Sequence, residues 1–147
     1  ATTLAIGGAD FAGTVSGAGT LALSGSLPKA TVTTPVELAD KTLTVSAAND
    51  IADSAAVPLV KTTGTFYLPT DGTLVLSGET SFSRWLGRRF LIAECAAYDG
   101  PADTTGWTFS PAASSAEDLK LQRGKFVFEN GRLYLKMAGS GIIIVVR

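Results

Sequence analysis

Hydrophobic and polar side chains alternate over short distances along this chain. In the runs 19–25, 41–45 and 72–78, apolar residues occupy every second position. Alternate side chains of a β-strand point to opposite faces of a sheet, so each run predicts a strand with one apolar face. The positions between them hold Ala, Thr and Val, which predicts a second face with almost no charge. Many short runs of this kind, separated by glycine-rich turns, are typical of an all-β domain.

One strand phrase recurs along the chain. Gly-Thr-Leu-x-Leu-Ser-Gly occurs at 19–25 and again at 72–78, with looser versions at 41–45 and 131–135. Recurrence of one strand type predicts the stacked coils of a β-solenoid. The starts at 19, 41, 72 and 131 are unevenly spaced, and a β-sandwich or jelly roll built from similar strands predicts the same pattern. Both folds stay open at this point.

The second half of the chain carries more strongly apolar and more charged strands. Asn130-Gly131 lies between two alternating runs, which predicts a type I′ hairpin because both turn positions need positive φ. The strands predicted in this half are 89–94, 106–110, 125–129, 132–136 and 141–147. The last of them is apolar and has to be covered, by the domain itself or by a neighbouring chain.

The remaining stretches predict four more strands and two loops. Residues 3–8, 13–17, 30–38 and 64–68 are each predicted as part of the strand pattern. Residues 47–56 are alanine-rich but short, which predicts a loop with one helical turn. Residues 110–118 predict a polar loop.

These patterns predict one all-β domain over 1–147 with two parts of different charge. Residues 1–80 hold three Lys against seven Asp and Glu, and residues 81–147 hold nine Lys and Arg against six Asp and Glu. The predicted architecture is a parallel β-helix-like solenoid of Gly/Thr-rich strands over 1–80, with a C-terminal antiparallel hairpin cap formed by the charged strands of 81–147. A β-sandwich or jelly roll is the alternative.

The composition argues against catalysis, metal binding and cofactors. Histidine is absent, which removes the commonest general base and metal ligand. Cys95 is the single cysteine, so an intrachain disulfide and a structural zinc site are excluded, and its apolar surroundings predict a buried thiol. Asp40, Asp71 and Asp99 precede predicted turns, where carboxylates usually serve the backbone. The chain is therefore predicted not to be an enzyme.

The charge and the apolar runs also restrict the partners. The net charge of −1 gives no general attraction to nucleic acid or to an anionic membrane. The longest apolar run, 142–146, is too short to cross a bilayer. We expect neither nucleic-acid binding nor membrane insertion.

One segment, Ser-Phe-Ser-Arg-Trp-Leu-Gly-Arg-Arg-Phe at 81–90, concentrates candidate binding residues. The candidate ligand or interface residues are Arg84, Trp85, Arg88, Arg89, Trp107 and Tyr134. Exposed tryptophan and tyrosine stack on sugar rings, so Trp85 and Trp107 on one open face would define a carbohydrate-binding module. Burial of both tryptophans in the core is the favoured interpretation, because most aromatic residues of a one-domain β protein lie there. On that interpretation the segment marks the transition between the two parts of the chain.

The recurring phrase and the strands of the second half also resemble a known family. The Gly-Thr-Leu-x-Leu-Ser-Gly phrases, the Gly-Trp-Thr phrase at 106–108, the strand 130–135 and the final apolar strand resemble the autotransporter-associated β-strand repeats of bacterial passenger proteins, in their C-terminal repeat-plus-cap region. The resemblance implies a secreted or surface-displayed, right-handed parallel β-helix with an adhesive or scaffolding role and no catalytic residues.

The predicted function is therefore that of a non-enzymatic structural or adhesive protein, extracellular or on a cell surface. Its start in Ala-Thr-Thr is what we expect either of a processed secreted protein or of a fragment excised from a longer one. Residues 1–9 contain no ionisable side chain, which protects a strand edge poorly. We expect that edge to pair with a second copy, giving a homo-oligomer or a head-to-tail fibre. A carbohydrate-binding module using Trp85 and Trp107 is the alternative function, and a virion surface protein is a further one.

Overall fold

The fold was analysed in a computed structural model that describes residues 10–52, 56–77, 87–110 and 124–137. Within these ranges the chain forms β-strands and one short 3-10 turn, with no α-helix, which confirms the all-β prediction. The strands are β1 (Thr14–Val15), β2 (Leu21–Leu23), β3 (Leu27–Val32), β4 (Val36–Leu38), β5 (Thr42–Val45), β6 (Val60–Thr62), β7 (Thr65–Tyr67), β8 (Gly72–Leu76), β9 (Arg89–Glu94), β10 (Ala97–Asp99), β11 (Trp107–Ser110), β12 (Gly124–Glu129) and β13 (Arg132–Met137).

The strands form three sheets in which most neighbours run parallel. The six-stranded sheet has the order β1-β3-β6-β9-β13-β12, the four-stranded sheet β10-β7-β4-β2 and the three-stranded sheet β11-β8-β5. The consecutive segments β3–β5, β6–β8 and β9–β11 each give their first strand to the six-stranded sheet, their second to the four-stranded sheet and their third to the three-stranded sheet. Equivalent strands of the three segments therefore lie side by side.

The register of these strands places apolar positions on apolar positions. Leu27 is aligned with Val60, and Val60 with Ala93, two steps of 33 residues, while a register shift within the β3–β6 pair aligns Val32 with Thr62. In the three-stranded sheet Leu43 is aligned with Leu74, and Leu74 with Phe109. Aligned side chains point to the same side of a parallel sheet, so these residues form continuous columns in one core.

The alternating runs have the apolar faces that the sequence predicts. The predicted core residues of 19–25, 41–45 and 72–78 are all buried, namely Leu21, Leu23, Leu43, Val45, Leu74 and Leu76. The two copies of the recurring phrase, however, are not equivalent in the fold. β2 lies in the four-stranded sheet and β8 in the three-stranded sheet, where its neighbours are β5 and β11. The phrase specifies an alternating strand between turns, and strands of different sheets meet that requirement equally well.

Residues 30–38 are not one strand, as the run suggested, but parts of β3 and β4 in different sheets. Pro35 lies between them and has no N–H group to donate to a strand ladder. Its carbonyl oxygen instead accepts a hydrogen bond of 2.8 Å from the Leu21 N–H. The three-residue strands β6 and β10 were not predicted, because each is too short to show a clear alternation.

Threonine side chains join successive layers where the chain turns from the six-stranded to the four-stranded sheet. The buried Thr62 hydroxyl donates a hydrogen bond of 2.6 Å to the Thr34 carbonyl and accepts one of 3.0 Å from the Gly64 N–H. The Thr34 hydroxyl in turn donates to the carbonyl of Gly19 in the preceding layer. These bonds satisfy backbone groups that the turn removes from the sheet ladders.

The predicted hairpin is present at 124–137. β12 and β13 pair antiparallel along their whole length, and Asn130 and Gly131 have φ angles of 52° and 74°, which confirms the type I′ turn. β13 also pairs antiparallel with β9. On the other side of the hairpin, the Phe126 N–H donates to the Ala102 carbonyl at 3.0 Å. Both long sides of the hairpin are thus hydrogen-bonded to the preceding segment.

The predicted helical turn within 47–56 is the 3-10 turn Ala47–Asn49. The Asn49 side-chain oxygen accepts a hydrogen bond of 2.9 Å from the Ser46 N–H and so closes its start. The predicted final strand 141–147, the first nine residues and all but the first residue of the predicted loop 110–118 lie outside the described residues.

The two faces of β8 predict opposite responses to truncation. Leu74 is fully buried in the core, whereas the next residue, Val75, is half-buried on the outer face. We expect Leu74→Ala to lower the free energy of unfolding by about 2–5 kcal/mol, because it leaves a cavity. Val75→Ala is the matched control and should cost less than about 1 kcal/mol. Urea denaturation measures both values, and equal losses would contradict the described register.

Candidate functional site

The arginine- and tryptophan-containing segment 81–90 is described only over its last four residues. Arg84 and Trp85 lie outside the described residues. Arg88 places its Nε atom 3.7 Å from a carboxylate oxygen of Asp50. Arg89 forms an ion pair with Glu129 and lies 4.1 Å from the centre of the Tyr134 ring. Both described arginines are therefore engaged with side chains of the same domain.

Charged side chains of both signs alternate along the outer face of the six-stranded sheet. Glu94 lies between two cations, with 3.9 Å to the Lys61 ammonium and 3.6 Å to the Arg132 guanidinium. Glu129 is paired with Arg89 at the hairpin. Exposed pairs of this kind contribute roughly 0–1 kcal/mol each. Among the described residues, their alternation leaves no continuous basic face, the feature that phosphate-backbone binding requires.

Trp107 belongs to the core and not to an open sugar-binding face. Its side chain is 7% exposed, as the core interpretation predicted. It is aligned with Gly72 of β8, where an added Cβ atom would lie 2.8 Å from the indole ring. The missing side chain at Gly72 makes room for the indole. On the other side the ring packs against Phe126, with 5.9 Å between ring centres.

An aromatic cluster fastens the hairpin to β10 and β11. Tyr98 lies 6.5 Å from Phe126 and 6.4 Å from Phe128, measured between ring centres. Its hydroxyl donates a hydrogen bond of 2.6 Å to the Pro101 carbonyl. Burial, reinforced by the charge of Asp99, raises the pKa of Tyr98 above its usual range. Tyr98 therefore stays a neutral donor, and Phe128, 37% exposed, forms the outer rim of the cluster.

Cys95 is buried, as the sequence predicted. Burial raises the pKa of its thiol to about 11, and a hydrogen bond with the Phe66 backbone opposes the shift only partly. A thiol with this pKa is almost fully protonated at neutral pH and is a weak nucleophile. Cys95 is therefore a core residue and not a reactive centre.

The carboxylates at the predicted turns serve the backbone or form ion pairs. An Asp40 oxygen accepts a hydrogen bond of 3.1 Å from the Thr42 N–H, and Asp71 pairs with Lys41 at 3.1 Å. Asp103 accepts from both the hydroxyl and the N–H of Thr105, which lowers the pKa of its carboxyl group. Asp99 ends β10. Within the described residues, His, Cys, Asp and Glu form no group of three or more that could hold a metal ion.

Two further results concern membrane-spanning helices and similarity to known proteins. In the part of the chain that the structure describes, no helix has the length and hydropathy needed to cross a membrane. Comparison of the sequence and structure with protein-family models, curated proteins and solved structures finds no match.

The sequence did not reveal which charged residues would meet. Lys61, Glu94 and Arg132 are more than 30 positions apart in sequence and are brought together by the alignment of β6, β9 and β13. No local pattern marks such a row. For Glu94 and Arg132 the usable signal was their position at the ends of predicted strands, and for Lys61 there was none, because β6 was not predicted.

The contact between Phe126 and Trp107 predicts a fluorescence change. In a Trp85→Phe background, Trp107 is the only tryptophan, and its emission should lie at short wavelength with little quenching by iodide. Phe126→Ala removes the ring that covers the indole, so emission should shift to longer wavelength and quenching should rise. Phe128→Ala is the matched control, because Phe128 contacts Tyr98 and should leave the spectrum unchanged. Similar spectra for both alanine variants would contradict the described packing.

Proposed function

We propose that this chain is a non-enzymatic structural protein, extracellular or on a cell surface, built as a right-handed parallel β-helix with a C-terminal hairpin cap. The observation that carries the proposal is the parallel alignment of equivalent strands from three consecutive segments, with a step of 33 residues in the six-stranded sheet. Stacked coils of similar length produce such an alignment. The resemblance of the strands to autotransporter-associated repeats supports the scaffolding or adhesive role.

The direction of the strands favours a β-helix over a sandwich. Every pairing among the strands β1 to β11 is parallel, and antiparallel pairing begins only where β13 joins β9. Immunoglobulin-like sandwiches, by contrast, consist of antiparallel sheets. Crossovers between parallel strands of one sheet are almost always right-handed, which supports the handedness proposed here.

The hairpin has the properties of a cap. A solenoid end exposes unpaired strand edges and apolar side chains unless something covers them. At this end β13 occupies the edge of β9, and Phe126 covers Trp107. The reversal to antiparallel pairing ends the stacking of further parallel strands on β9. A cap of this kind prevents further strands from pairing with β9 at this end of the scaffold.

Self-association remains part of the proposal, with a preferred end. The β9 edge is paired with β13, so a head-to-tail contact through it is obstructed. Among the described residues, β8 is the only strand next to β5. The Asp40 and Asn49 side chains accept hydrogen bonds from the N–H groups of Thr42 and Ser46, at the two ends of β5. We propose that oligomers form through the end that contains β1, β2 and β5, before any contact at the hairpin.

The alternative functions have less support. The burial of Trp107 removes one of the two residues from which a carbohydrate-stacking face would be built. No observation among the described residues favours a virion surface protein.

A duplicated coil tests the β-helix. Inserting a second copy of residues 44–74 after residue 74 preserves the alternation of inward and outward side chains in β8. We expect the variant to fold with a longer core and an m-value for urea unfolding raised by roughly a fifth, because m scales with the surface exposed on unfolding. The control inserts residues 43–74, one residue more, which moves the inward side chains to the outer face at the junction. The control should be unstable, and equal behaviour of the two insertions would refute stacked coils.

A weakened hairpin tests the cap. Gly131 and Gly25 both have positive φ angles, 74° and 84°, so valine strains the backbone at either position. Gly131→Val should release the hairpin, expose the β9 edge and increase oligomerisation in analytical ultracentrifugation. Gly25→Val lies in a turn far from the hairpin along the chain and should leave the oligomeric state as in the wild type. If hydrogen exchange shows the hairpin open in Gly131→Val while the oligomeric state is unchanged, the hairpin is not a cap.

A further inference from the structure

The chain has two asparagines, and they lie in opposite environments. Asn49 is buried, and both ends of its side-chain amide are hydrogen-bonded, the oxygen to the Ser46 N–H and the nitrogen to the Val57 carbonyl. Asn130, in the turn of the hairpin, is exposed and is followed by Gly131. Its side-chain amide has no hydrogen-bond partner among the described residues. Of the two amides, only that of Asn130 is open to reaction with its neighbour and with water.

An asparagine followed by glycine can lose its side-chain amide without an enzyme. The Gly131 nitrogen attacks the Asn130 Cγ atom, the bond from Cγ to the amide nitrogen breaks, and ammonia leaves with the proton of the Gly131 N–H. One water molecule then opens the five-membered succinimide ring at one of its two carbonyl groups. Opening at Cγ gives aspartate. Opening at the main-chain carbonyl gives isoaspartate, in which the chain continues through Cβ. Glycine favours ring closure because it has no Cβ atom to obstruct it.

The folded turn keeps the two reacting atoms apart. Asn130 has a φ angle of 52°, in the left-handed region, where ψ is about +30 to +60°. At such ψ angles the nitrogen of the next residue lies on the opposite side of the Cα–C bond from Cβ, so it does not reach Cγ. The pairing of Glu129 with Arg132 fixes this conformation from both sides of the turn. Ring closure therefore requires the turn to open first.

We propose that Asn130 is a deamidation site controlled by the hairpin. The Asn130 amide is protected while the turn is closed, and each opening of the hairpin exposes it to attack by Gly131. The fraction of converted chains therefore records how long the hairpin has been open. The Gly131 N–H has to lose its proton before the nitrogen attacks, so conversion is faster at higher pH.

Isoaspartate at position 130 prevents the hairpin from closing in register. It adds one main-chain CH2 group to a turn that has only two residues between Glu129 and Arg132. The first contacts with β9 lie directly after this insertion. The Gly131 carbonyl accepts a hydrogen bond of 3.0 Å from the N–H of Cys95, and the Arg132 guanidinium lies 3.6 Å from a Glu94 oxygen. An opening that is reversible in the unmodified chain becomes permanent after conversion. Only the effect of this change on self-association rests on the proposed cap.

Peptide mapping by mass spectrometry after incubation at mildly alkaline pH tests the site and its control by the hairpin. The wild-type chain should convert Asn130 at least about tenfold more slowly than a peptide of residues 127–133, because local opening of a folded element is rare. Asn49 should stay intact. Phe126→Ala removes the contacts with Trp107 and Tyr98 and should accelerate conversion at least about threefold.

Two further variants complete this comparison. Val75→Ala, on the outer face of β8 in another sheet, is the matched control and should convert Asn130 at the wild-type rate. Phe128→Ala loses only the contact with Tyr98 and should give a smaller acceleration, which keeps the test valid if Phe126→Ala does not fold. Hydrogen exchange of residues 124–137 measures how far each variant opens the hairpin.

The isoaspartyl chain, separated from the unmodified chain by chromatography, tests the second part of the proposal. It should lose protection from hydrogen exchange across 124–137. Asn130→Asp is the matched control, because it adds the same charge without the extra CH2 group and Asp-Gly also forms type I′ turns. It should keep the protection of the wild type.

Three results would each overturn the proposal. They are conversion of the wild type as fast as the peptide, an unchanged rate in a variant whose hairpin is open by hydrogen exchange, and full protection of the hairpin in the isoaspartyl chain. An open isoaspartyl hairpin with an unchanged oligomeric state in analytical ultracentrifugation would confirm the modification site and refute the cap.

Discussion

The register of the parallel strands is the constraint on which the rest of this structure depends. Leu27, Val60 and Ala93 are aligned and all three are buried, and the buried Val32 is aligned with the buried Thr62 beyond a register shift. Buried side chains therefore stack on buried side chains, and the turns between sheets also coincide. That coincidence is what allows the Thr62 hydroxyl of one layer to bond the Thr34 carbonyl of the layer before it. A shift of one residue would turn the apolar side chains outward and separate these groups.

The hairpin of β12 and β13 ends the stacking of parallel strands, because it reverses the strand direction. β13 pairs antiparallel with β9, and aromatic rings of β12 pack against Trp107 and Tyr98. In this region, among the described residues, Glu94 pairs with Lys61 and Arg132, and Glu129 pairs with Arg89. They keep its outer surface polar at little energetic gain, since exposed ion pairs stabilise weakly. The same arrangement leaves Glu94 between two cations, Lys61 and Arg132.

The outer faces of the three sheets differ although their inner faces are alike. The outer face of the six-stranded sheet carries the ion pairs of Glu94 and a shallow groove lined in part by Thr31 and Thr63. On the three-stranded sheet, Thr42, Thr73 and Thr108 form an uncharged row. Inner positions are restricted by packing and hold mostly apolar side chains of suitable size, with buried polar side chains such as Thr62 hydrogen-bonded to the backbone. Outer positions are free of that restriction, so any specific interaction of a scaffold of this kind has to be encoded there.

The local pattern of apolar and polar residues predicted which segments form strands, whereas the long-range alignment of the chain determined which strands pair with each other. The period-two alternation predicted the inner faces of β2, β5 and β8, and Asn130-Gly131 predicted the hairpin, because both signals lie within a few residues. The net charge and the absence of histidine can also be read directly from the sequence, and they restricted the kinds of site that were considered. Only the tertiary structure separated β3 from β4, placed the two copies of the recurring phrase in different sheets, and buried Trp107 against Gly72. Residues that meet about 30 positions apart leave no local trace, because their contact depends on how many residues each turn of the chain consumes.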